Sequence, residues 1–468
     1  MPEEGRQRHN GALTRATCTT PEVGNYMETG LVRIAEIAKK RPKERFTALV
    51  HHINAETLTE CHGELGGSKA SGVDKVTREE YGENLEANIR DLMERMKRQA
   101  YKPQPVRRVY IPKEGSSKMR PLGIPSYEDK LVQKALARIL NAIYEQDFLG
   151  CAFGFRPERG CHDALKVLNH IIQKKKVNYI VDADIRGFFD NVDHEWLMKF
   201  LELRIADKNL LRIIKRFLIA GVMEGGIVHD TPRGTPQGGV ISPILANVYL
   251  HYVLDLWFEK VVRRQCEGEA YLVRYADDFV CGFQYKEDAE KFYEDLQERL
   301  KKFNLEIAEE KTRIIAFGRN AESNGRKEGR GKPDTFDFLG FTHYCSKGKQ
   351  GHFRVKRKTS KKKYRSGLLR CKIWLRKHLN SPTWYVTAML RRKLLGYYRY
   401  YGITDNSTAV GNFFNVVRRM FFKWFNRRSQ RKSMNWEKYV KFLNKNPLPR
   451  AKIYVKIYDV KPELLGYL

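Results

Sequence analysis

The sequence predicts an α+β region followed by an all-helical, strongly basic module. Three observations carry that expectation. Apolar runs of strand length at Val106–Ile111, Val177–Ile185 and Tyr271–Phe283 alternate with longer stretches of helical spacing. Past Val355 the strand-like runs stop and the remainder reads as helical. Charge follows the same division. Of the formal net charge of +32, +24 falls between Phe338 and Trp436, where 25 Lys and Arg meet a single acid, Asp405. That leaves +8 for the rest of the chain.

Taken in order, the segment from Met1 to about Gly30 is rich in Gly, Thr, Arg and Glu and reads as a loose extension. Leu85, Ile89, Leu92, Met93 and Met96 recur at helical spacing, as do Leu131, Ala135, Leu136, Ile139, Leu140 and Ile143. Val106–Ile111 lies between them as a strand that Pro112 ends. Val177–Ile185 reads as a buried strand leading through a glycine-containing turn to a helix near His194–Leu203. Pro243 to about Val262 reads as one long helix, and Tyr271–Phe283 as two short strands joined at Ala276-Asp277-Asp278. A helix over Glu287–Phe303 and a strand near Thr312–Phe317 follow. Asn320–Asp334 is a polar loop, and Phe336–Tyr344 and His352–Val355 are strands. Together these give a mixed sheet with helices.

Composition excludes several classes. A hydrophobic fraction of 42% with 12% aromatics supplies a packed core, which rules out wholesale disorder. The most apolar stretch, Val240–Phe258, is interrupted by Ser242, Pro243, Asn247, His251 and Asp255, so no membrane span is expected. The first residues lack the apolar centre of a secretory signal. Eight scattered cysteines form no CxxC pair, so neither a zinc ribbon nor a disulfide framework is expected. A reducing, cytoplasmic setting follows as the expectation. The basic span carries Trp374, Trp384, Tyr385, Tyr397, Tyr398, Tyr400, Tyr401 and Trp424 among its cations. Such a mixture suits phosphate contact with base stacking, although many of those rings also have a helical core to fill.

The chemistry-bearing signal is acidic. Asp182 and Asp184 stand inside an apolar strand, and Asp277-Asp278 at the bend of a strand pair. Burying a carboxylate is costly unless a metal or a cation answers it. Adjacent aspartates on a strand-turn-strand, joined by a third from a neighbouring strand, suit a site in which two ions serve the attacking and leaving oxygens of a phosphoryl transfer.

Ten blocks then occur in a fixed order. They are Tyr101-KPQPVRRVYIPK, Met119-RPLGIPS, Phe153-GFRPERGCHDAL, Val181-DADIRGFFDNVDH, Arg233-GTPQGGVISPILANVYL, Tyr275-ADD, Leu305-EIAEEKTRI, Phe336-DFLGF, Leu390-RRKLLGYYRYYGI and Trp424-FNRRSQRKSMNWEKY. From Tyr81 to Tyr454 the chain resembles the group II intron-encoded reverse transcriptases, the maturases of bacteria and organelles. The resemblance implies a right-hand polymerase. Residues 1–80 would be an N-terminal extension and template-binding region, and 81–345 fingers and palm with a mixed, mainly antiparallel sheet. A thumb/maturase domain would span 346–415, and a small basic nucleic-acid-binding module 416–468.

The same resemblance assigns site residues. Asp184, Asp277 and Asp278 would be the catalytic aspartates holding two Mg2+ ions, with Mn2+ as a substitute and the backbone carbonyl of Ile185 as a further ligand. Asp182, on the same strand face, is the rival for the first position. Asp190 and Asp193 are expected to cap the next helix. Phe189 would lie beneath the incoming sugar and exclude a 2′-hydroxyl, Gln237 would line the nucleotide pocket, and Lys113 and Arg120 would hold the triphosphate. Lys311 is expected to meet phosphate or to pair with Glu309 or Glu310. In the basic span, Lys361, Lys362, Lys363, Arg391 and Arg392 would bind RNA. The implied partners are the group II intron RNA, an RNA template with DNA primer or target DNA, and deoxynucleoside triphosphates. The implied function is RNA-directed DNA synthesis with help to intron splicing and mobility, in an endonuclease-lacking member. Alternatives are a splicing-only maturase or a domesticated enzyme of phage defence.

Overall fold

The computed structural model describes residues 26–67, 70–112, 119–323, 329, 333–348, 350–428 and 434–467. Strands among them form three sheets rather than one. In the first, β1 (Val106–Pro112) pairs antiparallel with β2 (Met119–Ile124) and parallel with β4 (Val222–Glu224), which hairpins into β5 (Ile227–His229). Pro112 is the last residue of β1, where a missing N–H costs no ladder bond. The second sheet runs β6 (Ala270–Tyr275), β7 (Asp278–Phe283), β3 (Tyr179–Asp184), β8 (Arg313–Ala316), every pair antiparallel.

The third sheet corrects the expected strand over Phe336–Tyr344. That run bends at Leu339-Gly340, both at positive φ (49° and 79°), into β9 (Thr335–Phe338) and β10 (Phe341–Lys347). The strand expected at His352–Val355 is β11, and it reaches from Phe353 to Thr359.

Helix starts follow capping chemistry. Ser126 accepts from the Asp129 N–H ahead of Tyr127–Tyr144, and Asp193 from the Trp196 N–H ahead of His194–Glu202. Asp190 caps nothing: it lies exposed in the short helix Phe188–Asn191. The supposed loose extension is helical from Tyr26, because Tyr26–Lys40 lays an apolar stripe on Tyr127–Tyr144; residues 1–25 lie outside the described part. The long helix after Pro243 begins as Ser242–Leu250 and continues through two π-helical stretches, His251–Asp255 and Phe258–Val262.

Side chains of the second sheet alternate between two cores. Val181, Ala183, Phe279 and Cys281 face a core shared with Ser242–Leu250 and Lys286–Lys302. Ile180, Val273, Val280 and Ile315 face a second core, shared with Cys161–Lys174, the third sheet, Ile457 and Leu464. A third core joins Lys361–Lys377, Thr383–Tyr401, Ser407–Arg427 and Trp436–Lys445. Asp182 and Asp184 therefore emerge on the second face of the sheet, at the end of β3 that leaves it.

Candidate active site

Register brings the acids together. Asp184 stands directly opposite Asp278 across β3 and β7, where facing Cβ atoms are about 5 Å apart. Asp277 precedes it in the two-residue turn Ala276-Asp277 that joins β6 to β7. Ala276 adopts a left-handed φ of 58°, which costs a residue with a Cβ about 1–2 kcal/mol. The surroundings hold it there. Arg274 is fully buried, pairs with Asp255 through contacts of 2.6 and 2.7 Å, and donates to Asn247 Oδ1 and the Ala276 carbonyl at 3.0 Å each. Asn247 in turn donates to the Gly154 carbonyl at 2.8 Å. A Cβ on Gly154 would come within 2.3 Å of the Ala276 nitrogen, so only glycine lets that segment press on the turn.

Electrostatics mark the cluster as charge-strained. Burial, then the charges of Asp277 and Asp184, raise Asp278 to about 6 against the opposing Lys311 and Lys363. Asp278 keeps an exposed surface, so its cleft is open on one side. Burial and Asp184 also raise Asp277, with Arg120 and Arg274 opposing. Burial raises Asp182 to about 7, Arg313 opposing and Asp278, Asp337 and Asp184 adding to it. Asp182 faces Val280 and Arg313 in the ladder, two pairs further from the turn than Asp184, and has Arg313 at 3.8 Å. Lys311 is the ion-pair partner of Asp184 and not of Glu309 or Glu310; Glu310 is taken by Arg186 at 3.0 Å.

Among the described residues no three His, Cys, Asp or Glu side chains stand as a ready metal cage. The donor chemistry nevertheless fits a hard divalent cation: carboxylate oxygens only, mutually repelling, with a lysine ammonium already drawn to Asp184. Ile185 suits a backbone ligand. It sits opposite Ile307 while Ala308 N–H donates to the Asp184 carbonyl and Arg186 N–H to the Glu306 carbonyl, both at 2.8 Å. That pattern turns the N–H and C=O of Ile185 to the other side, toward β7.

Five residues past Asp184 in the chain, Phe189 lines a cleft of about 350 Å3 whose walls also include Gln237, Arg108 and Pro121. The 234–239 loop forms one wall by stitching two elements. Thr235 N–H donates to the Phe189 carbonyl at 2.8 Å, and Gly123 N–H to the Gln237 carbonyl at 2.6 Å. Gly238 at φ +113° passes so near that a Cβ would stand 2.6 Å from the Gly123 carbonyl. Phe189 is half-buried, with its ring edge-on to the fully packed Phe188 at 5.4 Å. Arg120 is exposed on β2, near enough for its charge to act on Asp277. Lys113 lies outside the described residues.

The residues expected to meet RNA are placed less uniformly. Lys361 and Lys362 are exposed at the start of Lys361–Lys377, whereas the charge of Lys363 acts on Asp278. Arg391 donates to the Pro447 carbonyl at 2.9 Å and Arg392 is exposed. The rings divide too. Tyr397 stacks on Phe413 at 3.6 Å, Tyr398 and Trp424 are buried, and Trp384 is 74% exposed. Sequence reasoning missed Arg274, Asp255 and Asn247 as a support for the turn. The signal was three lone polar residues in otherwise apolar stretches.

Residues 111–343 match the family described as reverse transcriptase (RNA-dependent DNA polymerase), and the α+β part with its carboxylate turn is a domain of that class. Over 231 residues the chain is 39% identical to the group II intron-encoded protein LtrA of Lactococcus lactis, covering 48% of this chain and 38% of LtrA. It is 33% identical over 242 residues to protein YkfC of Escherichia coli, 46% of this chain and 63% of that one, and 26% identical over 179 residues to nuclear intron maturase 2 of Arabidopsis thaliana, 29% and 24%. Over these stretches the chain is similar to group II intron-encoded proteins and intron maturases. It spans about two fifths of the length of LtrA. No helix among the described residues is long and apolar enough to cross a membrane.

Proposed function

We propose that this protein is an RNA-directed DNA polymerase of a group II intron, which copies RNA into DNA and binds its intron RNA to assist splicing and mobility. The observation that carries the reading is the pairing of Asp184 with the Asp277-Asp278 turn across β3 and β7. In this reading the first two sheets and their helices are fingers and palm, within 81–345. The helices from Lys361 onward are the thumb and maturase part, to about 415, and 416–468 is a basic module.

Asp184, Asp277, Asp278 and the Ile185 carbonyl would hold Mg2+, with Mn2+ as a substitute. Ions held there would supply Lewis acidity toward the primer 3′-hydroxyl and positive charge against the leaving pyrophosphate. The chain's own groups do the rest. Arg120 and Lys113 take the triphosphate charge, and Gln237 lines the nucleotide's path between the close-packed glycines. Phe189 closes the space a ribose 2′-hydroxyl needs, a steric exclusion that selects deoxynucleotides. Lys311, the ion-pair partner of Asp184, supplies a cation at the edge of the carboxylate site. Asp182 keeps Arg313 and stays a neighbour of the site.

The test uses one preparation and two assays. On an RNA template with a DNA primer, the protein extends the primer with deoxynucleotides in Mg2+, and Asp277→Asn abolishes extension. Self-splicing of the intron RNA at low Mg2+ is accelerated by both proteins. Absence of extension by the unaltered protein on any primed RNA would overturn the polymerase reading.

A further inference from the structure

Helices Lys361–Lys377 and Ser407–Arg427 pack side by side, and toward the C-terminal end of each they part around a well of about 410 Å3. Its floor is apolar. Leu375 and Trp424 are buried there, and Leu379 and Met420 are half-buried. The indole is fixed in place: its Nε1–H donates to the His378 carbonyl at 3.2 Å, and the Arg428 guanidinium stands 4.7 Å from its centroid. Its polar edge is therefore already used.

The rim is cationic. Lys372 and Arg376 stand one helical turn apart on one side, and Lys423 and Arg427 one turn apart on the other. All four are exposed, and among the described residues none is paired with an acid. Like charges at i, i+4 weaken a helix, and two such pairs facing each other across one well repel further. Folding gains nothing from that placement, so it implies an anionic occupant. An apolar, aromatic floor beneath a ring of cations is complementary to a flat base carried on a phosphodiester.

We propose that this well takes one unstacked nucleotide of a bound RNA strand. Its base lies against Trp424, Leu375, Leu379 and Met420, and the phosphates on either side of it meet Lys372, Arg376, Lys423 and Arg427. The inference rests on the proposed RNA-binding function and adds the place and mode of contact. Its volume lies within the range of small-molecule pockets, about 300–1,000 Å3, and is ample for one base with its sugar. Because the floor offers no free donor or acceptor, the base is held by its face and not read by its edge. Binding at this well is accordingly indifferent to sequence and dependent on the presence of a base.

Fluorescence anisotropy with a short unstructured RNA, over a KCl series, tests this. A second oligonucleotide of the same length carries ribose-phosphate without bases. Leu379→Trp fills the well and leaves every cation in place. It should weaken RNA binding about fivefold or more with the salt slope unchanged. It should leave binding of the base-free strand as it is in the unaltered protein. The pair Arg376→Gln and Lys423→Gln should instead lower the slope of log K on log salt by about 1.4 for both strands. Thermal melting checks that each variant folds, and Met420→Phe replaces Leu379→Trp if that one does not. If the filled variant binds RNA as tightly as the unaltered protein, or the unaltered protein binds both strands equally, the well holds no base and the inference falls alone. If the unaltered protein binds neither strand, the RNA-binding function falls, and this inference with it.

Discussion

Replacing Asp255 by Asn tests how the catalytic turn is held. The substitution keeps shape and removes one charge from a pair in which both side chains are 0% exposed. The Arg274 guanidinium then stays buried without a counter-ion. Removing one partner of a buried pair typically costs about 3–5 kcal/mol, since the remaining charge keeps its desolvation penalty. Arg274 retains its bonds to Asn247 Oδ1 and the Ala276 carbonyl, which places the expected loss at the lower end, about 3 kcal/mol. Urea unfolding reads it as a shifted midpoint at constant slope. The loss should persist in 1 M KCl, because salt does not reach the pair (about a 3 Å screening length at that strength). Glu310→Gln serves as the contrast: it breaks the Arg186–Glu310 pair, more than half exposed on both sides, and should leave the urea midpoint almost where it was. Primer extension by Asp255→Asn should fall even where the protein remains folded, as the turn bearing Asp277 and Asp278 loosens. A cost below about 1 kcal/mol, or one abolished by salt, would refute the argument that this pair supports the turn.

Further outcomes follow from the same geometry. Asp184→Asn and Asp278→Asn should each abolish primer extension while Asp182→Asn leaves most of it; wild-type extension by Asp184→Asn, with loss in Asp182→Asn, would transfer the first ligand to Asp182. Phe189→Ala should raise the ratio of ribonucleotide to deoxyribonucleotide incorporation, and an unchanged ratio would make Phe189 a packing residue only. Burial lowers His251 to about 4 and His343 to about 3, so both are neutral in the folded protein. The unfolded chain binds more protons than the folded one below about pH 6.5, so their contribution is complete above that pH and is lost as pH falls toward 4. Urea midpoints between pH 7.5 and 5 should show this slope, and His343→Gln should flatten it; an equal slope in the variant would contradict the burial argument. Neutralising Lys361, Lys362 and Lys363 together should flatten the salt dependence of RNA binding. The smaller part should come from Lys363, whose charge is turned toward Asp278.

What the sequence disclosed and what it hid have physical reasons. Aspartates in apolar strands are conspicuous because burial makes them costly, so Asp182, Asp184, Asp277 and Asp278 and the strands bearing them were legible. Period-two and helical patterns likewise located most elements. Pairings across long sequence separations leave no such local trace. Lys311 neighbours two glutamates in sequence yet meets Asp184, because the chain before β8 lies along the end of β3. The hairpin at Leu339-Gly340 was hidden by a strand-like run with apolar residues on both sides of the bend, its single turn cue being the glycine. The division of aromatic residues was illegible for another reason. Tyr397 against Phe413 and the exposed Trp384 obey the same helical spacing, and a partner helix alone decides which of them is covered.

The core beneath the carboxylate sheet also has a bearing on how the protein is made. Leu165 and Leu168, which leave the ribosome early, share that core with Ile457 and Leu464, and the half-buried Tyr467 lies against Gly150. At about 5–20 residues per second, tens of seconds separate the synthesis of those partners. Through that interval the basic helices emerge while one face of the sheet is still incompletely sealed. That face of the sheet is sealed only when the final turns of the chain arrive, so a chain cut short before Ile457 would leave it open.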